Sequence, residues 1–306
     1  MISSRQLEYF QAVARELHFT RAAETLRIAQ PALSQQIRKL ERQLGLVLFE
    51  RNNHRVELTS AGAALLEHAE RILADLVAVE DEMLGWSSGV RGRIRLGAAR
   101  GLMPRLARLL AVFCQDFPKV EVVLLEQSTE EMVAGLRAGR LDVATLAKPV
   151  PASDRLLTWH PLGEEPLVLV AGARTALAGR RRMPVADLDG VDLVAYPSGS
   201  AVGQIITSAL AAADAWPRSR FVSREYSTAR TLASVGLAAA IMPRSLALAE
   251  GPPVDVVRLD PEPVWAPCLA WLSSRRATPA LKVFTEFALA DPEFFGWAAA
   301  GDISID

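Results

Sequence analysis

"QPALSQQIRKLE", Gln30 to Glu41, sets Leu33, Ile37, Leu40 and, just beyond, Leu44 at intervals of four, three and four residues. That period makes one apolar stripe on a helix with one side in a core. Pro31, Ser34, Gln35, Arg38 and Arg42 share the face turned away from the stripe. A helix that needed only solubility would carry Glu and Lys there. This one carries short polar and amide groups near its N-terminal end and arginines further on. An α-helix fits the major groove of B-DNA, where Gln makes a bidentate contact to adenine and Ser bonds several base edges. Bases are reached mainly from the N-terminal part of such a helix. Gln30, Pro31, Ser34 and Gln35 are therefore the expected base contacts, with the Pro31 ring against a thymine methyl. Arg38 and Arg42 come later and are expected on phosphates.

The neighbouring sequence supports this reading. Leu7, Phe10, Val13, Ala14 and Leu17 give a first helix, and "HFTRAAETL" a second, with Thr20 as its N-cap. Gly45, just past Leu44, is placed as a left-handed C-cap. "LVLFERNNHRVELT" reads as two short strands around an Asn52-Asn53 turn. Two helices joined by a tight turn and then a hairpin describe a winged helix-turn-helix. Thr20, Arg51 and Arg55 join Arg38 and Arg42 as expected phosphate contacts. Residues 1–60 carry nine Lys/Arg against six Asp/Glu, whereas residues 61–89 carry one against six. The whole-chain charge of −1 hides that local basic excess.

Thr59 opens a helix running to about Trp86. Leu65, Ala69, Ile72, Leu76, Val79, Met83 and Trp86 recur at alternating steps of four and three. A period of 3.5 sustained over about 40 Å is a coiled-coil seam that wants a second copy of itself. The competing reading is a helix packed on its own domain. "SSGVRG", Ser87 to Gly92, looks like a hinge. Strands and helices alternate beyond it: "RIRLGAA", "LMPRLARLLAVFCQDFP", "KVEVVLLEQ", "STEEMVAGLRAG", "LDVATLA", and again from "LVLVAG" to "GLAAAIMP". This rhythm predicts parallel sheets with crossover helices in two subdomains.

"QLEYFQAVARELHFTRAAETLRIAQPALSQQIRKLERQLGLVLFER", followed by "LTSAG", resembles the signature of LysR-type transcriptional regulators over roughly the first sixty-five residues. The resemblance implies a winged-helix dimer on an interrupted palindrome, often assembled as a tetramer. It also implies a small inducer bound in a C-terminal domain of two Rossmann-like α/β subdomains, similar to periplasmic binding proteins. Two positions depart from the family pattern: Ala29 stands where Ser or Thr usually caps the recognition helix, and Gln35 where Arg is frequent. The expected layout is α/β multidomain: a DNA-binding domain over 1–58, a dimer helix and hinge over 59–89, and effector subdomain I over 90–161. Subdomain II follows over 162–267, and 268–306 returns to the first subdomain and a tail. The expected partners are double-stranded DNA, a small-molecule effector and further copies of the chain as a homodimer or homotetramer, with RNA polymerase a candidate besides.

In the C-terminal part, "GAARG" puts Arg100 in a loop before a helix, "QSTEE" puts Ser128 and Thr129 at a helix N-terminus, and "YPSGSAVG" does the same for Ser198, Gly199 and Ser200. Such ends favour anions, and Arg100 would complete a carboxylate site. Thr145 and Tyr226 are further candidates. The alternative for Ser128 and Ser200 is that they are only helix caps, and for Arg100 that it is a surface charge.

Other classes of function find little support. His18, His54, His68 and His160 are scattered, and neither a nucleophile elbow nor a phosphate-cradling loop occurs. No cofactor, metal or catalytic group is expected. The two cysteines, Cys114 and Cys268, read as buried inert thiols. A peroxide switch, used by some LysR relatives, would put reactive thiols in the later subdomain. With no basic n-region followed by an apolar run, and no membrane-length apolar stretch, the expected location is cytoplasmic, away from membranes.

Overall fold

The structure is a computed structural model of the 306-residue chain, describing residues 1–52, 55–85, 90–147, 156–197, 199–273 and 277–290. It divides into two compact units, Met1–Gly92 with Arg137–Arg140, and Arg93–Leu136 with Leu141 onward.

The first unit opens with α1 (Ser4–Glu16), α2 (Phe19–Thr25) and α3 (Gln30–Leu44). Phe10, Val13, Ala22, Leu33, Ile37 and Leu40 are all buried, so the periodic apolar positions of three short helices make one core. α2 is capped by His18, whose Nδ1 accepts from the Arg21 amide at 3.3 Å. Thr20, the expected cap, already lies inside the helix and is exposed. The correction has a simple cause: His18 takes extended backbone angles, so the helix starts two residues earlier. α3 begins after Ala29 with no side-chain cap and ends at Gly45, whose φ of 68° is left-handed.

The hairpin is β1 (Phe49–Asn52) and β2 (Arg55–Leu58), antiparallel, with Asn52 paired to Arg55. Asn52 is thus a strand residue and not the expected turn residue, while Asn53 lies outside the described residues. Glu41 of α3 accepts from the Leu48 and Phe49 amides at 3.0 and 3.4 Å, fixing the hairpin to the helix. α4 (Ser60–Gly85) is capped by Thr59, whose hydroxyl accepts from the Gly62 amide at 3.0 Å and donates to the Val47 carbonyl at 2.7 Å. A Cβ on Gly62 would come within 2.2 Å of the Leu48 carbonyl oxygen, so only glycine lets α4 pass the strand.

The second unit holds two sheets. The first has order β4-β3-β5-β14-β6 and is built from β3 (Gly92–Ala98), β4 (Val120–Glu126), β5 (Val143–Ala147), β6 (Leu157–Pro161) and β14 (Pro267–Leu272). The helices α5 (Met103–Asp116) and α6 (Thr129–Arg137) occur between β3 and β5. The second sheet contains β7 (Glu165–Ala171), β8 (Arg182–Pro184), β9 (Asp192–Ala195), β10 (Arg218–Val222), β11 (Ala239–Pro243), β12 (Asp255–Asp260) and β13 (Val264–Trp265). Its path is β10-β9-β11-β7-β12-β8, with β13 on β7. It carries α7 (Ala201–Ala212), α8 (Tyr226–Ser234) and α9 (Arg244–Leu248), and α10 (Pro279–Ala290) follows β14.

The sheets are mixed rather than parallel. β3 runs parallel to β5, and β10 and β11 run parallel to β9. β14, however, runs antiparallel to β5 and β6, and β7 antiparallel to β11 and β12. The reason lies in how the chain crosses between the sheets. It leaves the first sheet after Pro161 and returns at Pro267, and the strand entered after each crossing, β7 and then β14, runs against the crossover units.

Candidate functional site

On α3 the outward face is Gln30, Pro31, Gln35, Arg38 and Arg42, all exposed. Ser34 departs from the expectation: it is only 6% exposed, on the flank that turns into the core beside Leu33 and Ile37. The Nε of Arg38 donates to the Ser34 carbonyl at 3.4 Å, and that of Arg42 to the Arg38 carbonyl at 3.3 Å, laying both side chains along the helix. Arg55 and Thr20 are exposed on β2 and α2, while Arg51 is in β1 opposite Val56. The expected face therefore survives as an amide, a proline and another amide ahead of two guanidinium groups, without the serine.

α4 divides along its length. Ala69 is fully buried and Leu65 packs beside it in the helical domain's own core, so these two expected seam positions are not free for a partner. The residues Ile72, Leu76, Val79 and Met83 are 44–55% exposed and continue the stripe with no cover from their own unit. Packing on its own domain thus accounts for the first half of this helix, while the stripe of the second half is exposed. Trp86 and residues 87–89 of the hinge expected over 87–92 lie outside the described residues, and Gly92, its last residue, already begins β3.

In the second unit a cavity of about 80 Å³ gathers loops that follow strands of both sheets. From the first sheet come Arg100 after β3 and Ser128 and Thr129 after β4; from the second come Gly199 and Ser200 before α7 and Tyr226 at the start of α8. Six of the eight expected effector residues therefore meet. Thr145 does not: it is fully buried, its hydroxyl accepting from the Ala99 amide at 2.8 Å, so it holds the loop behind the lining. Ser198 lies outside the described residues.

Both serines prove to be caps as well as lining. The Ser200 hydroxyl accepts from the Gly203 amide at 3.2 Å. Ser128 forms a reciprocal box with Glu131, its hydroxyl accepting from the Glu131 amide while its own N–H and O–H reach the carboxylate, each at 2.8 Å. Those two bonds from Ser128 hold the Glu131 carboxyl below its ordinary range, with Arg224 and Arg100 adding to the effect.

The sequence reading missed Arg224, Tyr196 and Trp265 in the lining. The rings of Tyr196 and Tyr226 meet at 5.2 Å and 52°. Burial pushes the pKa of both phenols up, that of Tyr226 despite the Arg100 charge, so both remain neutral O–H groups. Trp265 is 1% exposed, and a Cβ on Gly101 would lie 2.5 Å from its indole, so the loop carrying Arg100 rests on that ring. Tyr196 stood inside the quoted "YPSGSAVG"; Trp265 ends β13, which like β12 no clean alternation announced. Cys268 is buried in β14, but Cys114 is exposed on α5, contrary to expectation. The apolar face of that helix is set by Leu106, Leu109 and Phe113, and Cys114 falls one residue off it.

Comparison with known proteins agrees with both halves. Residues 4–63 match the family model described as bacterial regulatory helix-turn-helix protein, lysR family, and residues 87–292 that of the LysR substrate binding domain. The hydrogen peroxide-inducible genes activator of Dickeya chrysanthemi is 32% identical over 240 residues, 78% of each chain. The HTH-type transcriptional regulator IlvR of Caulobacter vibrioides is 33% identical over 285 residues, covering 91% of this chain and 94% of that one. Among solved structures, CbnR, a LysR family transcriptional regulator, matches with a TM-score of 0.71 at 28% identity over 94% of this chain and 98% of that one. Full-length CbnR complexed with its target DNA matches with a TM-score of 0.68 at 27% identity, over 94% and 99% of the two chains.

Proposed function

This chain belongs to the LysR family of transcriptional regulators, and we propose that it binds an interrupted palindromic operator as a dimer or tetramer. In this reading its output is controlled by a small carboxylate or aromatic metabolite held in the cavity of the second unit. LysR regulators bind DNA and small-molecule effectors and oligomerise. The observation that carries the effector reading is the cavity itself. Loops from two sheets converge on it with two arginines, two tyrosines and a tryptophan, while no Asp or Glu occurs among its described lining residues. A few convergent polar groups in an otherwise apolar concavity suit a small ligand.

Gln30, Pro31 and Gln35 read base edges in this proposal, while Arg38, Arg42 and Arg55 hold phosphates. The exposed half of the α4 stripe pairs two copies, so that two recognition helices meet two half-sites. An effector that binds two arrangements of the sheets unequally shifts how those helices are presented. A cytoplasmic setting with RNA polymerase as a further partner fits this role. No helix among the described residues is long and apolar enough to cross a membrane.

Several relatives are named for induction by peroxide, and that response is not carried over. Cys114 and Cys268 sit on α5 and in β14, and neither lines the cavity. Hydrogen peroxide is expected to leave DNA binding unchanged. The central test is Ser200→Trp, which fills the cavity: DNA binding by mobility shift should persist while the inducer response disappears. Loss of both together would rule out separable modules.

A further inference from the structure

Within the cavity, the Arg100 guanidinium already has an anion on it. Its Nε lies 3.0 Å from Glu225 Oε1 and 3.8 Å from Glu126 Oε2. Glu126 ends β4 on the same sheet as Arg100, but Glu225 stands immediately before α8, which packs on the second sheet. The Arg100–Glu225 pair therefore ties one subdomain to the other. Glu225 makes no side-chain capping bond to α8, so its carboxylate is not committed to its own helix. The lining also contains three donors without a hydrogen-bond partner: the indole N–H of Trp265, the hydroxyl of Tyr196 and the Nε–H of Arg100 itself, whose approach to Glu225 is an ion pair without hydrogen-bond geometry. An indole N–H and a guanidinium N–H can only donate, so all three groups can be matched together by an acceptor brought from outside. A carboxylate offers acceptor lone pairs and no donor, and a fork of guanidinium N–H groups matches it well.

We propose that a small carboxylate effector enters by taking Arg100 from Glu225, so that the bound ligand and the bridge between subdomains exclude one another. This rests on the reading of the cavity as the effector site and adds a switch to it. Exchange of one carboxylate for another leaves the charge around Arg100 unchanged, while the tie to α8 is cut and the two sheets are freed to move. Glu225 acts as a resident competitor: it lowers affinity for anions and rejects neutral ligands, which cannot repay the lost ion pair. Charge alone thus selects the ligand at this point.

The switch predicts a gain of affinity from removing a charge. Benzoate serves as the probe for the full-length protein by isothermal titration, with acetate and malonate beside it and benzamide as the neutral counterpart. Wild type is expected to bind benzoate and not benzamide. Glu225→Gln should tighten benzoate about two- to fivefold, the worth of a partly exposed ion pair, and should narrow the gap to benzamide. Arg100→Gln should abolish benzoate binding. A benzoate affinity unchanged or weakened in Glu225→Gln would overturn the displacement, even with the cavity correctly assigned. Benzoate binding that survives Ser200→Trp would instead overturn the effector-site reading beneath it. Failure of all three carboxylates to bind wild type would dismiss the anionic ligand.

Discussion

Gln35 and Arg55 illustrate how two exposed residues of one domain can do separable work. Gln35 projects from the second turn of α3, and its amide can discriminate a base edge; Arg55 on β2 offers charge without shape. Gln35→Ala should relax discrimination at particular base pairs in a footprint. Arg55→Ala should weaken all sequences alike and reduce the salt slope by about 1. The opposite pattern would reverse the roles. Ala29 supplies a second test at this scale. The helix has no side-chain cap, so Ala29→Ser should add about 1 kcal/mol to its stability. Hydrogen exchange at the α3 amides should then slow about fivefold, and no slowing would mean that the end is already satisfied.

α4 shows what a one-dimensional pattern conveys about an element and what it does not. Its heptad spacing announced the helix and its stripe, but spacing is blind to which neighbour covers the stripe. Ala69 is sealed by α1 and the core of its own domain, whereas Leu76 has no such cover. Leu76→Glu should therefore dissociate the assembly in sedimentation while helicity is retained. Ala69→Glu should unfold the helical domain, because it buries a charge with no partner prepared. The recognition helix was legible down to its last turn because its caps and stripe are local. Thr20 was misjudged as a cap by two residues, because His18 takes the extended angles, and Ser34 because it stands on the buried flank of its helix. Thr145 failed for another reason: a strand residue faces either the core or the ligand, and the sequence period cannot choose between them.

At the scale of the molecule, the tie least visible in the sequence is the pair Arg105–Glu165. Arg105 starts α5 beside the first sheet, and Glu165 starts β7 in the second; their side chains are 9% and 4% exposed and 2.8 Å apart. Glu165 also accepts from the Ser245 amide at the start of α9. Removing one partner of a buried pair costs more than removing both, because the survivor is left desolvated. Arg105→Met should destabilise the effector unit by about 3–5 kcal/mol. The double change Arg105→Met/Glu165→Met should recover most of that loss, as read from denaturant midpoints. Equal loss in both variants would show that the pair is worth its own energy. The alternation of strands and helices made the two-subdomain layout readable, yet these partners are 60 residues apart and nothing local links them.

Trp265 pairs with Glu165, so the two strands that carry the chain between the sheets lie side by side at that point. An indole there sits at the pivot rather than in the jaws, and a pivot barely moves while the rims swing. The floor of the cavity then acts as a fixed gauge and its mouth as the moving part. In the proposed effector site, ligand shape is expected to be read against Trp265 and Gly101 and ligand charge at Arg100. Enlarging Gly101 to alanine would set a Cβ 2.5 Å from that indole, so it should lift the loop carrying Arg100 and change both which molecules fit and how strongly they bind, as read by isothermal titration.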